Sequence, residues 1–138
     1  MTSVLCDASA LVALIVADDI NHDRCHDAVK DFPASALVST WQCLTEAMYL
    51  VGREGGLKAQ ELLWDYVEQQ ALALHLTDEV ERPRLRYLMQ RYSDAPMDLA
   101  DASLVSAAEL LGIARILTLD RHFHAYRILD RVAFDVIP

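Results

Sequence analysis

The chain has 138 residues, 54% apolar and 24% charged, which suits one globular domain and excludes a disordered tail, a collagen-like repeat and a disulfide mini-protein. A chain of this length buries roughly two-thirds of its unfolded surface unaided, so a bound metal would serve chemistry rather than architecture. The net charge of −9, from twelve Lys and Arg against twenty-one Asp and Glu, argues against coating nucleic acid by bulk attraction. It leaves open an enzyme that meets nucleic acid through bound cations, two of which would bring the charge to about −5 where carboxylates are densest.

In chain order, Met1 leads almost directly into a strand at residues 3–6 that ends at Asp7, followed by a mostly apolar helix over 8–17. Residues 21–32 form an amphipathic helix with Asn21 as its cap and Pro33 beyond its end. A strand over 36–39 precedes a helix over 41–53 that Gly55 and Gly56 stop, and a separate helix covers 57–70. A strand over 72–76 is followed by a helix that Thr77 caps and that runs to about residue 92, with Pro83 in its first turns. A helix over 98–111 ends at Gly112. A strand over 113–119, a short helical turn over 121–126 and a strand over 133–137 complete the chain. Strands alternating with helices predict an α/β fold: a parallel sheet of four to five strands between two helical layers.

In such open sheets the ligand site lies beyond the carboxyl ends of the strands, near the switch in strand order. Asp7 and Asp120 both sit just after a strand. Each also has a routine alternative, capping the helical turn that follows. Asp98 and Asp101, at i and i+3, share one face of a first helical turn and imitate a capping box. Asp101 opens the nearly apolar face Asp101, Leu104, Val105, Ala108, and no Lys or Arg lies within a turn of it. Glu46 belongs to a polar stripe with Gln42, Tyr49 and Arg53, where a solvated side chain is the ordinary expectation. Gathered at one sheet edge, these acids would repel one another unless a cation sat among them. Oxygen ligands select Mg²⁺ or Mn²⁺ rather than zinc.

The stretch Leu5-Cys6-Asp7-Ala8-Ser9-Ala10-Leu11 resembles the opening motif of PIN-domain nucleases. Thr45-Glu46-Ala47 resembles that family's second acidic motif, Asp98-Leu99-Ala100-Asp101-Ala102 the third, and Thr118-Leu119-Asp120-Arg121 with Phe123 the fourth. The motifs occur in order, and the likeness spans residues 1–138 as a single domain, nearest to the VapC-like toxin ribonucleases of toxin–antitoxin modules. The resemblance implies a three-layer α/β/α fold and an endoribonuclease using one or two Mg²⁺ or Mn²⁺ ions. It implies that Asp7, Glu46, Asp101 and Asp120 are the acidic quartet that holds the metal, with Asp98 an additional acid. Ser9 and Thr118 match positions whose hydroxyls lie near the pocket and support its ligands. It further implies an RNA substrate, with structured tRNA or rRNA as candidates, a cognate VapB-type antitoxin and a homodimer. A housekeeping PIN-type nuclease and a non-catalytic interaction protein on the same scaffold are the alternatives. A receiver module is excluded, because Asp7 stands alone and no Lys follows Lys58. A D-x-D phosphatase is excluded because Ser9 occupies the second Asp position.

Other features read more plainly. Cys6, Cys25 and Cys43 form an odd set without C-x-x-C spacing, as expected of free thiols in a reducing compartment. No leader pattern opens the chain and its apolar stretch is too short for a membrane span, which points to the cytoplasm. His22 and His26 lie one turn apart but lack a second ligand pair for zinc. His122 and His124 read as surface residues. Arg82, Arg84, Arg86 and Arg91 form the densest basic stretch, either a solvated face paired with Glu79 and Glu81 or a guide for an RNA backbone, with Tyr87 or Tyr92 for stacking.

Overall fold

The computed structural model describes residues 3–138; the expectation about Met1 lies outside the described residues. Five strands form one parallel sheet: β1 (Val4–Cys6), β2 (Leu37–Thr40), β3 (Leu72–His75), β4 (Arg115–Leu117) and β7 (Asp135–Ile137), in the order β3-β2-β1-β4-β7. A small antiparallel pair, β5 (Arg127–Ile128) and β6 (Val132–Ala133), lies outside it. The strand order reverses between β1 and β4, so the crevice beyond their carboxyl ends is the natural ligand position.

Period-two alternation sorts the side chains onto two cores. Val4 and Cys6 of β1 and Leu117 of β4 face α1 (Ala8–Ile15), α2 (His22–Val29) and α3 (Trp41–Glu68). Leu5 and Ile116 face the other way, toward α4 (Arg82–Arg91) and α5 (Leu99–Leu111). Helices thus cover both faces, as a parallel sheet requires.

Local chemistry moves several predicted boundaries. The two helices expected over 41–53 and 57–70 run as α3, with one break at Gly56, whose φ of 68° suits only a glycine. Asn21 occupies the cap position of α2 without a side-chain cap bond; its own N–H donates to Asp19 Oδ1 at 2.8 Å. Thr77 does not cap the next helix, since its hydroxyl accepts from Gln42 Nε2. Asp78 caps instead, in a reciprocal box with Glu81 over the 3-10 turn Glu79–Glu81, and α4 begins at Arg82 with Pro83 in its first turn. Gly112 ends α5 in the left-handed region as expected.

The pair β5–β6 carries no turn signal in the sequence. Leu129 and Asp130 both adopt positive φ in its loop, and a distant network holds them there. Arg84 grips Glu109 with two nitrogens at 3.0 and 2.7 Å and reaches Asp130 at 3.1 Å. Glu109 also accepts from the Leu129 N–H at 2.7 Å.

The buried Glu81 was not expected to matter beyond pairing with Arg. It accepts from the Asp78 N–H at 2.6 Å and the Ser106 hydroxyl at 2.7 Å, and pairs with His75 Nε2 at 3.0 Å. It thereby joins β3, α4 and α5. These bonds hold its pKa below the usual 4.5 although burial alone would raise it. Glu81→Ala is expected to destabilise the fold by about 2–3 kcal/mol, lowering Tm by roughly 10 °C in a thermal melt. Because this pKa is lowered, its stabilisation is complete above pH 4.5 and lost as pH falls through the lowered value.

Cys6, Cys25 and Cys43 are free and buried. Burial raises the Cys6 thiol and pushes Cys43 up to about 12, leaving both inert. Among the described residues no helix is long and apolar enough to cross a membrane.

Candidate active site

Asp7 ends β1 at the strand-order switch and is almost fully buried. It does cap α1: its Oδ1 accepts from the Ala10 N–H at 3.0 Å. The same oxygen accepts from the Ser9 hydroxyl at 2.6 Å, and Oδ2 accepts from the Thr118 hydroxyl. Each hydroxyl in turn takes a backbone N–H from the segment after β4: Leu119 N–H to Ser9 at 3.2 Å and Asp120 N–H to Thr118 at 2.9 Å. Two hydroxyl relays therefore fix Asp7 against the backbone of Leu119 and Asp120. They work because β1 and β4 pair in register, Cys6 opposite Leu117, which sets Asp7 beside Thr118. The relays give Ser9 and Thr118 a definite positioning task.

Asp98 and Asp101 also serve as caps. Asp98 Oδ1 accepts from the Asp101 N–H at 2.8 Å, and Asp101 Oδ2 from the Asp98 N–H at 3.2 Å. The Tyr126 hydroxyl, with one proton to donate, lies between two acceptors, Ala95 O at 3.3 Å and Asp101 Oδ2 at 3.4 Å. Asp120 caps the 3-10 turn Arg121–His124 through the His122 N–H at 2.9 Å. Glu46 rides on α3, whose start is tied to α5. Thr40 caps α3 by accepting from Cys43 N–H. Ser103 donates its one hydroxyl proton to Ala100 O at 2.6 Å, so Thr40 must donate to Ser103 at 2.7 Å.

Capping and site-lining are thus not alternatives. Asp7, Glu46, Asp98, Asp101 and Asp120 line one cavity of about 310 Å³ together with Ser9 and His122. Thr118 lies behind Asp7 rather than in the lining.

The electrostatics follow from this crowding. No Lys or Arg lines the cavity. Asp101 is pushed up to about 7, first by partial burial and then by the charge of Asp98 beside it, with Asp120 adding to this. Asp7 is raised by burial, against the pull of its three hydrogen bonds, and Asp120 pushes the same way. Glu46 is raised by burial and by the charges of Asp98, Asp7 and Asp120. The near Asp101 carboxylate also raises the Tyr126 phenol, after burial. Carboxylates that raise one another and have no Lys or Arg among them are the donor chemistry of a hard divalent cation. Among the described residues no three acidic, His or Cys side chains already form a closed ligand group; the acids surround a cavity rather than a single point.

Sequence reasoning missed His122 and Tyr126. His122, assigned to the surface, lines the cavity with Nδ1 2.8 Å from Asp120 Oδ1; its position two residues after a capping Asp was the available signal. Nothing marked Tyr126, which reaches Asp101 only through the fold. His22 and His26 are not a zinc pair: His22 Nδ1 binds Ala13 O at 2.7 Å and the two rings lie side by side.

Comparison with known proteins gives three findings. The family model described as PIN domain matches residues 4–129. Ribonuclease VapC26 of Mycobacterium tuberculosis is 31% identical over 136 residues, covering 98% of this chain and all of that protein. The crystal structure of VapC20 from the same organism, described as a toxin that cleaves the sarcin–ricin loop, superposes with a TM-score of 0.75 at 17% identity, over 83% of this chain and 87% of that one. That structure shares the fold seen here.

Proposed function

Because the chain belongs to the PIN-domain family and, through its relative, to the VapC-like ribonucleases within it, we propose that it is a Mg²⁺- or Mn²⁺-dependent endoribonuclease. We further propose that it acts in the cytoplasm as the toxin of a two-component module. The observation that carries the proposal is the cavity at the strand-order switch, lined by five carboxylates and no Lys or Arg. Asp7, Asp101 and Asp120, with Glu46 and Asp98 at the rim, would hold one or two ions. Bound there, a divalent ion acidifies a water and offsets the charge of a phosphodiester under attack.

The chain's own residues supply preorganisation. Ser9, Thr118 and the Ala10 N–H fix both oxygens of Asp7, so this ligand cannot swing away when a polyanion approaches. The Asp98–Asp101 box fixes the second pair on the first turn of α5. His122 holds one oxygen of Asp120, which orients that carboxylate toward the other acids. The Thr40–Ser103 bond keeps the start of α3, and with it Glu46, at a set distance from α5.

Structured tRNA or rRNA is the proposed substrate class, supported by the activity described for the similar fold of VapC20. A VapB-type antitoxin and a second copy of the chain are the proposed partners. An exposed apolar groove of about 250 Å³ on α3, built by Trp41, Leu44, Met48, Tyr49 and Trp64, supports a role in binding protein. The housekeeping alternative is not favoured, because the chain aligns with Ribonuclease VapC26 over the whole length of that protein, which leaves no further domain between the two.

Incubating the protein with total RNA tests the proposal. Discrete cleavage products are expected with Mg²⁺ or Mn²⁺ and none with chelator. Cleavage that persists undiminished in chelator, or no cleavage under any condition, would contradict it.

A further inference from the structure

The structure sorts the basic stretch on α4 into two pairs. Arg84 is committed to Glu109 and Asp130, and the Arg91 guanidinium lies over the Tyr92 ring, 5.5 Å from its centre. Arg82 and Arg86 have no ion pair among the described residues. Neither pairs with Glu79 or Glu81, the neighbours that a solvated face would have used. With Gln90 they recur at i, i+4 and i+8 and form one ridge, about 12 Å long along the helix.

The ridge separates two grooves that all three residues line. One, of about 550 Å³, is completed by Leu85, Met89, Ser93 and Leu99; the other, of about 370 Å³, by Pro83 and Tyr87. The first groove and the acidic cavity are lined from the same segment between α4 and the first turn of α5, Leu99 of the groove following directly on Asp98 of the cavity. Ser93 and Leu99 face the groove, while Pro96, Asp98 and Asp101 of the same segment face the cavity.

We propose that the Arg82–Arg86–Gln90 ridge binds the sugar–phosphate backbone of the RNA strand that is cut in the acidic cavity; the inference rests on the nuclease reading above. A chain of charge −9 with a carboxylate-lined site repels a polyanion. Its substrate therefore needs unpaired cations close by, and these two guanidiniums provide them. Their planar forks match phosphate oxygens, and one helical turn, about 6 Å of rise, separates them. Tyr87 is exposed beside Arg86. Arg84 covers one face of its ring at 5.2 Å, which leaves the other face for a base to stack on.

The test uses a short labelled single-stranded RNA and fluorescence anisotropy, in Mg²⁺, with Asp7→Asn as the common background so that the probe survives. Arg82→Ala combined with Arg86→Ala is expected to weaken binding roughly tenfold at about 100 mM salt. It should also flatten the slope of log K against log salt by about 1.4, since each phosphate contact on a single strand contributes about 0.7. Arg24→Ala, on α2 across the sheet, should leave both quantities unchanged. An unaltered slope in the double variant overturns the proposal. So does a double variant whose only change is its oligomeric state, which would make the groove a contact between copies. Failure of the nuclease reading is separately visible, because the parent chain, with Asp7 in place, would then leave the same probe uncut in Mg²⁺ whatever the ridge does.

Discussion

Asp7→Asn is expected to abolish RNA cleavage, by at least roughly 10³-fold, and to leave the fold standing. The loss follows from the position of Asp7. It is the most buried of the cavity acids and the one fixed from three sides. Removing one charged ligand from a divalent site removes several kcal/mol of transition-state stabilisation, and each ~1.4 kcal/mol is tenfold in rate. The fold survives because Asn caps helices about as well as Asp. Its amide oxygen can still accept from the Ala10 N–H and the Ser9 hydroxyl, and neutralising a carboxylate whose burial already raises its pKa removes a cost. Cleavage assays beside thermal melts separate the two effects. A variant that cuts at the parent's rate would remove Asp7 from the active site.

Asp101→Asn is expected to make the metal-free protein more stable while destroying activity. Asp101 sits at about 7 in the fold against 3.8 in an unperturbed chain. Between those values the native carboxyl holds a proton that the unfolded chain has released, so stability falls as pH rises through this window. Asp7 and Glu46 are raised as well and act in the same direction. Glu81 acts in the opposite sense but only below pH 4.5. The metal-free protein should therefore melt higher near pH 5 than near pH 8, and Mg²⁺ or Mn²⁺ should raise the pH 8 value selectively. Asn can still accept from the Asp98 N–H while shedding the repulsion from Asp98 and Asp120. With solvent screening allowed for, the gain is about 1 kcal/mol, or roughly 3–5 °C in Tm at pH 8. A variant that melts lower than the parent at pH 8 without metal would refute the account of mutual repulsion.

Sheet and site were legible in the sequence to different depths. The apolar runs Val4-Leu5-Cys6 and Ile116-Leu117 mark strands buried on both faces, and Asp7 and Asp120 follow them directly. The carboxyl edge of the sheet could thus be read before any contact was known. The acids on α3 and α5 could not be brought to that edge by spacing, because Glu46 gets there through the Thr40–Ser103 bond across 63 residues. The likeness to PIN domains supplied what local pattern lacked. Capping and chemistry looked like rival tasks for Asp7, Asp98 and Asp120. In the structure each cap bond aims a carboxylate into the cavity, so the two tasks are one. The β5–β6 pair was illegible because Leu129 and Asp130 hold positive φ with no glycine, under the hold of Arg84 from 46 residues away. Arg84 was illegible for the same reason, and its partners Glu109 and Asp130 decide which arginines of α4 remain free.

Titrating Mn²⁺ into the metal-free protein by calorimetry tests the central claim most directly, because it asks whether the cavity acids share a cation without requiring any substrate. Saturable uptake of one or two ions is expected, weakened at least tenfold by either Asp7→Asn or Asp101→Asn. No uptake, or uptake that both substitutions leave unchanged, would contradict the account.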